Sequence, residues 1–116
     1  MASLDNPDLR ATGISGAGTT QATATALRHK HVLTAEITAG AGVILQQQFC
    51  SEHAEGTIHN GSAAAGAAST GAALLVYPWV GAAFNGQAAN TALTLPAGKG
   101  CRWVYFNATT IGIIYS

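Results

Sequence analysis

The chain has 116 residues, enough for one domain with a buried core. Five Lys and Arg balance five Asp and Glu, and charged residues make up 9% of the chain, against about 25% in an ordinary globular domain. That balance offers no basic patch for nucleic acid and no acidic tail for a charged partner, and the 48% hydrophobic content excludes a disordered chain.

In chain order, residues 1–13 read as an extended N-terminal arm, because Asp5, Asn6, Pro7 and Gly13 punctuate it and few of its side chains are apolar. The opening MASLDNPDLR holds no apolar segment of a secretory leader, so synthesis in the cytoplasm is expected. No apolar run approaches the roughly 18 residues that span a bilayer, so no membrane partner is expected. Residues 14–27, ISGAGTTQATATAL, are small and Thr-rich, with no helical stripe. Period-two alternation predicts a strand over 31–38, with Leu33, Ala35 and Ile37 on one face. Further strands are predicted at 43–47 and 56–60, the latter closed by the turn signal Asn60-Gly61. The stretch SAAAGAASTGAA at 62–73 reads as a loop, since Gly66 and Gly71 interrupt the alanines. Continuous apolar residues at 74–77 predict a strand buried on both faces, ended by Pro78. Asn85-Gly86 is a second hairpin-type turn signal, 91–95 alternates again, and 96–100 is a turn. Two strands at 101–106 and 110–115 close the chain, the first with Trp103 and Tyr105 on one face and Val104 and Phe106 on the other. Short strands separated by Gly, Pro and Asn, with no amphipathic helix, predict an all-β fold: one compact antiparallel β-sandwich or small barrel at 14–116, with six to eight strands.

Little in the sequence carries catalytic chemistry. His29 and His31 stand two apart and would point the same way on a strand, which makes them weak metal candidates with Glu52, Glu55 or a cysteine. Their spacing matches no established metal motif, so no metal or other cofactor is expected. Cys50 lies three residues from His53, but a nucleophile needs a base and an orienting group in contact, not in sequence. Both Cys50 and Cys101 read as free thiols in apolar surroundings. A glycosidase-type carboxylate pair would rest on Glu52 and Glu55 alone. Asn60-Gly61-Ser62 and Asn107-Ala108-Thr109 match the glycosylation pattern by chance. No enzyme is therefore expected.

From 56 to 98 there is no Asp, Glu, Lys or Arg, more than a third of the chain. A free monomer covers itself with charge, whereas the centres of protein interfaces are poor in charge and rich in aromatic residues. An assembled structural protein is the expectation from this stretch.

The segments GAGTTQATATAL (16–27), ITAGAGVILQ (37–46), GTIHNGSA (56–63), LLVYPWVGAAFNGQAAN (74–90), LTLPAGKGCRWVYF (93–106) and ATTIGII (108–114) together resemble a small β-rich domain of tailed-bacteriophage and prophage virion proteins. The resemblance spans about residues 14–115. It implies a structural virion component without catalysis, and a chain of little more than that domain fits a capsid decoration, or cement, protein. The implied partners are the major capsid protein and further copies of itself, as a homotrimer, on the outside of the phage head. Tyr77, Pro78, Trp79, Phe84 and Asn85 are then the expected structural and subunit-contact centre, and Asp5, Asp8 and Arg10 the expected capsid contacts. The alternative is a tail or fibre module in which aromatic side chains bind a host surface glycan. Cys50, His53 and the 62–73 loop depart from the pattern.

Overall fold

The fold is that of a computed structural model, which describes residues 10–37, 40–48, 50, 55–62 and 72–115. Ten strands occur among them: β1 (Arg10–Ile14), β2 (Thr25–Ala26), β3 (His31–Thr34), β4 (Gly42–Ile44), β5 (Glu55–His59), β6 (Leu74–Tyr77), β7 (Ala83–Phe84), β8 (Leu93–Leu95), β9 (Gly100–Asn107) and β10 (Thr110–Tyr115). They form a six-stranded sheet in the order β1-β3-β5-β9-β10-β7 and a four-stranded sheet in the order β2-β4-β6-β8.

The course of the chain is unlike a meander. From β1 to β9 each strand lies in the sheet opposite to the one before it. Strands that neighbour within a sheet are therefore two steps apart in sequence and run the same way: β1 with β3, β3 with β5, β2 with β4, and β4 with β6 are all parallel. The direction reverses where β8 returns beside β6 and β9 beside β5, and β9–β10 is the one hairpin between consecutive strands. The expected antiparallel sandwich or barrel is thus corrected to two mixed sheets. A parallel pair needs a long crossover, and the absence of helices pointed to antiparallel pairing. Here a strand in the other sheet serves as the crossover, and no helix is needed.

The core draws on both sheets. Val32, Ile58, Cys101, Trp103 and Ile111 from the larger sheet meet Val43, Leu74, Val76, Leu93 and Leu95 from the smaller one, all essentially buried. Burial alternates along β5, where Gly56 and Ile58 point in and Glu55, Thr57 and His59 point out. It is nearly continuous along β6, as its unbroken apolar sequence predicts. Gly56 has no room for a side chain: a Cβ there would run into the Lys30 carbonyl and the Trp103 ring. Several expected elements shift. The strand predicted at 31–38 ends at Thr34, with Val32 and Thr34 inward and Leu33 outward. Arg10 to Gly13, read as part of the arm, lie in β1. The loop at 63–71 lies outside the described residues, as do residues 1–9.

Asn60-Gly61 does not close a hairpin, because β5 is followed by β6 in the other sheet. Asn60 is instead a buried pin between the sheets. Its side-chain amide donates to the carbonyls of Ala72 (2.9 Å) and Leu95 (3.0 Å), and its side-chain oxygen accepts from the Ser62 N–H at 2.9 Å. Its own N–H donates to the Lys99 carbonyl at 2.9 Å. One side chain thus bonds three backbone groups.

Candidate functional site

Two regions carry the residues singled out by sequence. The first is the loop system at one end of the molecule, built around residues 77–91. Tyr77, Pro78, Trp79 and Phe84 are buried there, which places them in the chain's own core and leaves little of them to face a second subunit. Their polar atoms hold loops together. The Tyr77 hydroxyl donates to the Thr19 carbonyl (3.2 Å) and the Trp79 indole N–H to the Ala108 carbonyl (2.8 Å). The Trp79 ring stacks on Tyr105, with centroids 5.7 Å apart. Gln21 donates from its amide to the Pro78 carbonyl (2.8 Å) and to the Asn90 side-chain oxygen (3.2 Å). Asn90, held at φ 65°, also accepts from the Gly81 N–H at 2.7 Å. Asn85 is exposed, but its side-chain oxygen accepts from the Ile113 N–H at 2.6 Å. The turn at Asn85-Gly86 is real: Gln87 N–H donates to the Phe84 carbonyl at 3.0 Å and Gly86 sits at φ 80°, as the third position of a type II turn requires. It joins β7 to β8, in different sheets, so it is not the expected hairpin.

The uncharged stretch is explained largely by this arrangement. Among its described residues the large apolar side chains other than Val80 are buried or half-buried, and its exposed segment at 85–91 is Asn, Gly, Gln, Ala and Thr. Over 85–91, polar neutral and small side chains occupy the surface that charge covers elsewhere.

The second region is the outer face of the six-stranded sheet, which the sequence reading missed as a unit. The register places Arg10 of β1, His31 of β3, Thr57 of β5, Arg102 of β9 and Ile114 of β10 in one cross-strand row. Adjacent rows add Leu33 beside His59, and Glu55 beside Val104. Phe106 lies across β10 over Gly112, where a Cβ would stand 2.5 Å from its ring, and His59 lies over Gly100 in the same way. Leu33 is 42% exposed, Ile114 51% and Phe106 64%, so three of the four exposed large hydrophobic residues among those described share this face. Around them sit an ion pair, Arg102 to Glu55 at 3.5 Å, and His31, whose Nδ1 is 2.8 Å from the Thr57 hydroxyl. Burial, then the positive charges of Lys30, Arg10 and His59, lower the His31 pKa below 6.5, with Glu55 opposing them. The available signal was the alternation of 102–106, whose outward set turned out to be Arg102, Val104 and Phe106.

The remaining expected residues do not converge. Arg10 opens β1 at the edge of the sheet, while Asp5 and Asp8 lie outside the described residues. His29 precedes β3, so the strand geometry that would align it with His31 is lacking. No group of three or more His, Cys, Asp or Glu suited to a metal ion occurs among the described residues; Glu52 and His53 lie outside them. Cys50 and Cys101 are buried free thiols, as expected. Burial pushes each thiol from 9.0 up to about 12, so both stay protonated at neutral pH, a poor starting point for a nucleophile. Asn60 is too buried to accept a glycan in the folded chain.

Comparison with family models, with curated proteins and with solved structures gives no match.

Proposed function

We propose that the chain is a non-enzymatic structural protein of a tailed-phage virion, a decoration protein that docks between major capsid subunits and stabilises the head shell from outside. The observation that carries this reading is the outer face of the six-stranded sheet, where Leu33, Phe106 and Ile114 stand exposed on β3, β9 and β10. Exposed large apolar residues spaced over one face, with polar and charged groups among them, suit a protein contact of mixed character. The two mixed sheets are, in this reading, the layers of one β-sandwich that present this face to the shell. Residues 1–9, with Asp5 and Asp8, supply a further capsid contact. A homotrimer suits the local three-fold positions of a shell, and three weak contacts per trimer act together.

The test is the mass of the purified protein by light scattering, followed by sedimentation with empty shells assembled from the major capsid protein of its phage. A trimer that travels with the shells is expected. A monomer that stays in the supernatant overturns the reading.

A further inference from the structure

A cleft of about 550 Å³ opens beside the four-stranded sheet, lined chiefly by Ile44, Gln46, Gln47, Gln48, Trp79 and Val80. Its size falls within the usual range of small-ligand sites, roughly 300–1,000 Å³. We propose that this cleft binds a neutral oligosaccharide. It is formed by residues of the smaller sheet and its loops, away from the docking face, so the inference goes beyond the decoration reading and does not depend on it.

The lining decides the ligand class. Among the described residues no charged side chain borders the cleft, so a charged ligand would lose water there without gaining a counter-charge from them. Three consecutive glutamines border it. A carboxamide offers two donors and an acceptor, which matches hydroxyl groups that both donate and accept. Gln46 is held in place, because its amide donates to the Leu27 carbonyl at 3.1 Å, which leaves its side-chain oxygen to accept. Gln47 and Gln48 are exposed. Apolar groups share the lining with the amides, chiefly the exposed Val80 and half-buried Ile44, with only 7% of Trp79 exposed, and a pyranose ring presents both kinds of surface: hydroxyls at its edge and C–H groups on its face. Val80 is 76% exposed, the most open large hydrophobic side chain described. Trp79 is fixed by its bond to the Ala108 carbonyl and its stack on Tyr105, so little ordering is needed on binding. An extended peptide fits less well. It would add to a sheet edge, and the neighbouring edge strand β2 is two residues long.

The test is a titration of 15N-labelled protein with neutral trisaccharides of glucose, galactose and N-acetylglucosamine, followed by amide shifts. Shifts confined to residues 26, 44–48 and 79–80 are expected with at least one of them. The double variant Gln47→Ala/Gln48→Ala changes two exposed side chains, and it should keep the spectrum of the fold while weakening binding by about tenfold or more. Val80→Asp should weaken it independently. No shifts at tens of millimolar sugar, shifts that persist in both variants, or equal binding of a sialylated trisaccharide or a neutral hexapeptide would each overturn the proposal.

Discussion

Two regions of this molecule treat their large apolar side chains in opposite ways. The 77–91 region buries Tyr77, Pro78, Trp79 and Phe84, and apart from Val80 its exposed positions are Asn, Gln, Gly, Ala and Thr. The outer face of the six-stranded sheet does the reverse, with Leu33, Phe106 and Ile114 in solvent among Arg102, Glu55 and His59. By sequence the first looks like the sticky surface and the second like a solvated one. The difference teaches that lack of charge reports what a segment buries as much as what it exposes. Alternation along a strand decides which of the two applies.

The largest effect in which this contrast can be broken is at Asn60. If it pins the two sheets, Asn60→Ala should cost about 3 kcal/mol, because two carbonyls and one N–H lose their partner inside the fold. Asn60→Asp should be no better, since a carboxylate cannot donate to Ala72 and Leu95. Urea unfolding measures both. A loss below about 1 kcal/mol for both variants, the range of surface changes, would show that the sheets hold together without the pin.

Gly86→Val ranks next, at about 1–2 kcal/mol. A Cβ at Gly86 meets nothing within 4 Å, so the whole effect comes from φ 80° and none from packing. Gly86→Asn should therefore recover most of the loss, which a steric cause would not allow. Equal thermal midpoints for Gly86→Val and the parent chain would remove the turn from the account.

Most individual strands were legible in the sequence. Leu74–Tyr77, Leu93–Leu95 and the β9–β10 pair follow from apolar pattern and from Pro and Gly stops that act within a few residues. The pairing was not legible. Whether β3 lies beside β5 or β4 depends on contacts across tens of residues, and period two is the same in parallel and antiparallel sheets. The candidate face was half legible: Val104 and Phe106 share a side by alternation, but which side is out depends on Trp103 and Tyr105 finding the core. Leu33 joined that face only because β3 presents Val32 and Thr34 inward. Asn60-Gly61 read as a hairpin because local turn chemistry looks alike whether the next strand returns to the same sheet or crosses to the other.

Phe106→Asp tests the outer face with a smaller effect on the fold. Its ring covers Gly112 yet stays 64% exposed, so stability should change by no more than about 1 kcal/mol. Shell binding should respond far more, since a charge would replace the most exposed apolar side chain of that face. Sedimentation on shells is expected to be lost while the mass by light scattering stays that of the parent protein. Unchanged sedimentation would move the contact elsewhere, and Leu33→Asp and Ile114→Asp would then be expected to behave as silently.

The smallest effect is set by His31, and its sign separates the two regions once more. In the unfolded chain the imidazole takes up a proton near 6.5; in the fold, burial against Thr57 and the charges of Lys30, Arg10 and His59 resist it more than Glu55 helps. The folded pKa is the lower one, so the unfolded chain binds the proton first as pH falls. Stability is then complete above 6.5, declines as pH drops through that value, and levels off below the folded pKa. Much of the side chain remains open to water, so the decline should be slight. His31→Gln removes the titrating group while keeping a partner for the Thr57 hydroxyl. Its urea midpoint should fall less between about pH 7.5 and pH 5 than that of the parent chain. An equal fall in both proteins would assign the pH response to groups outside this face, and the positive field across β1, β3 and β5 would no longer be what distinguishes it.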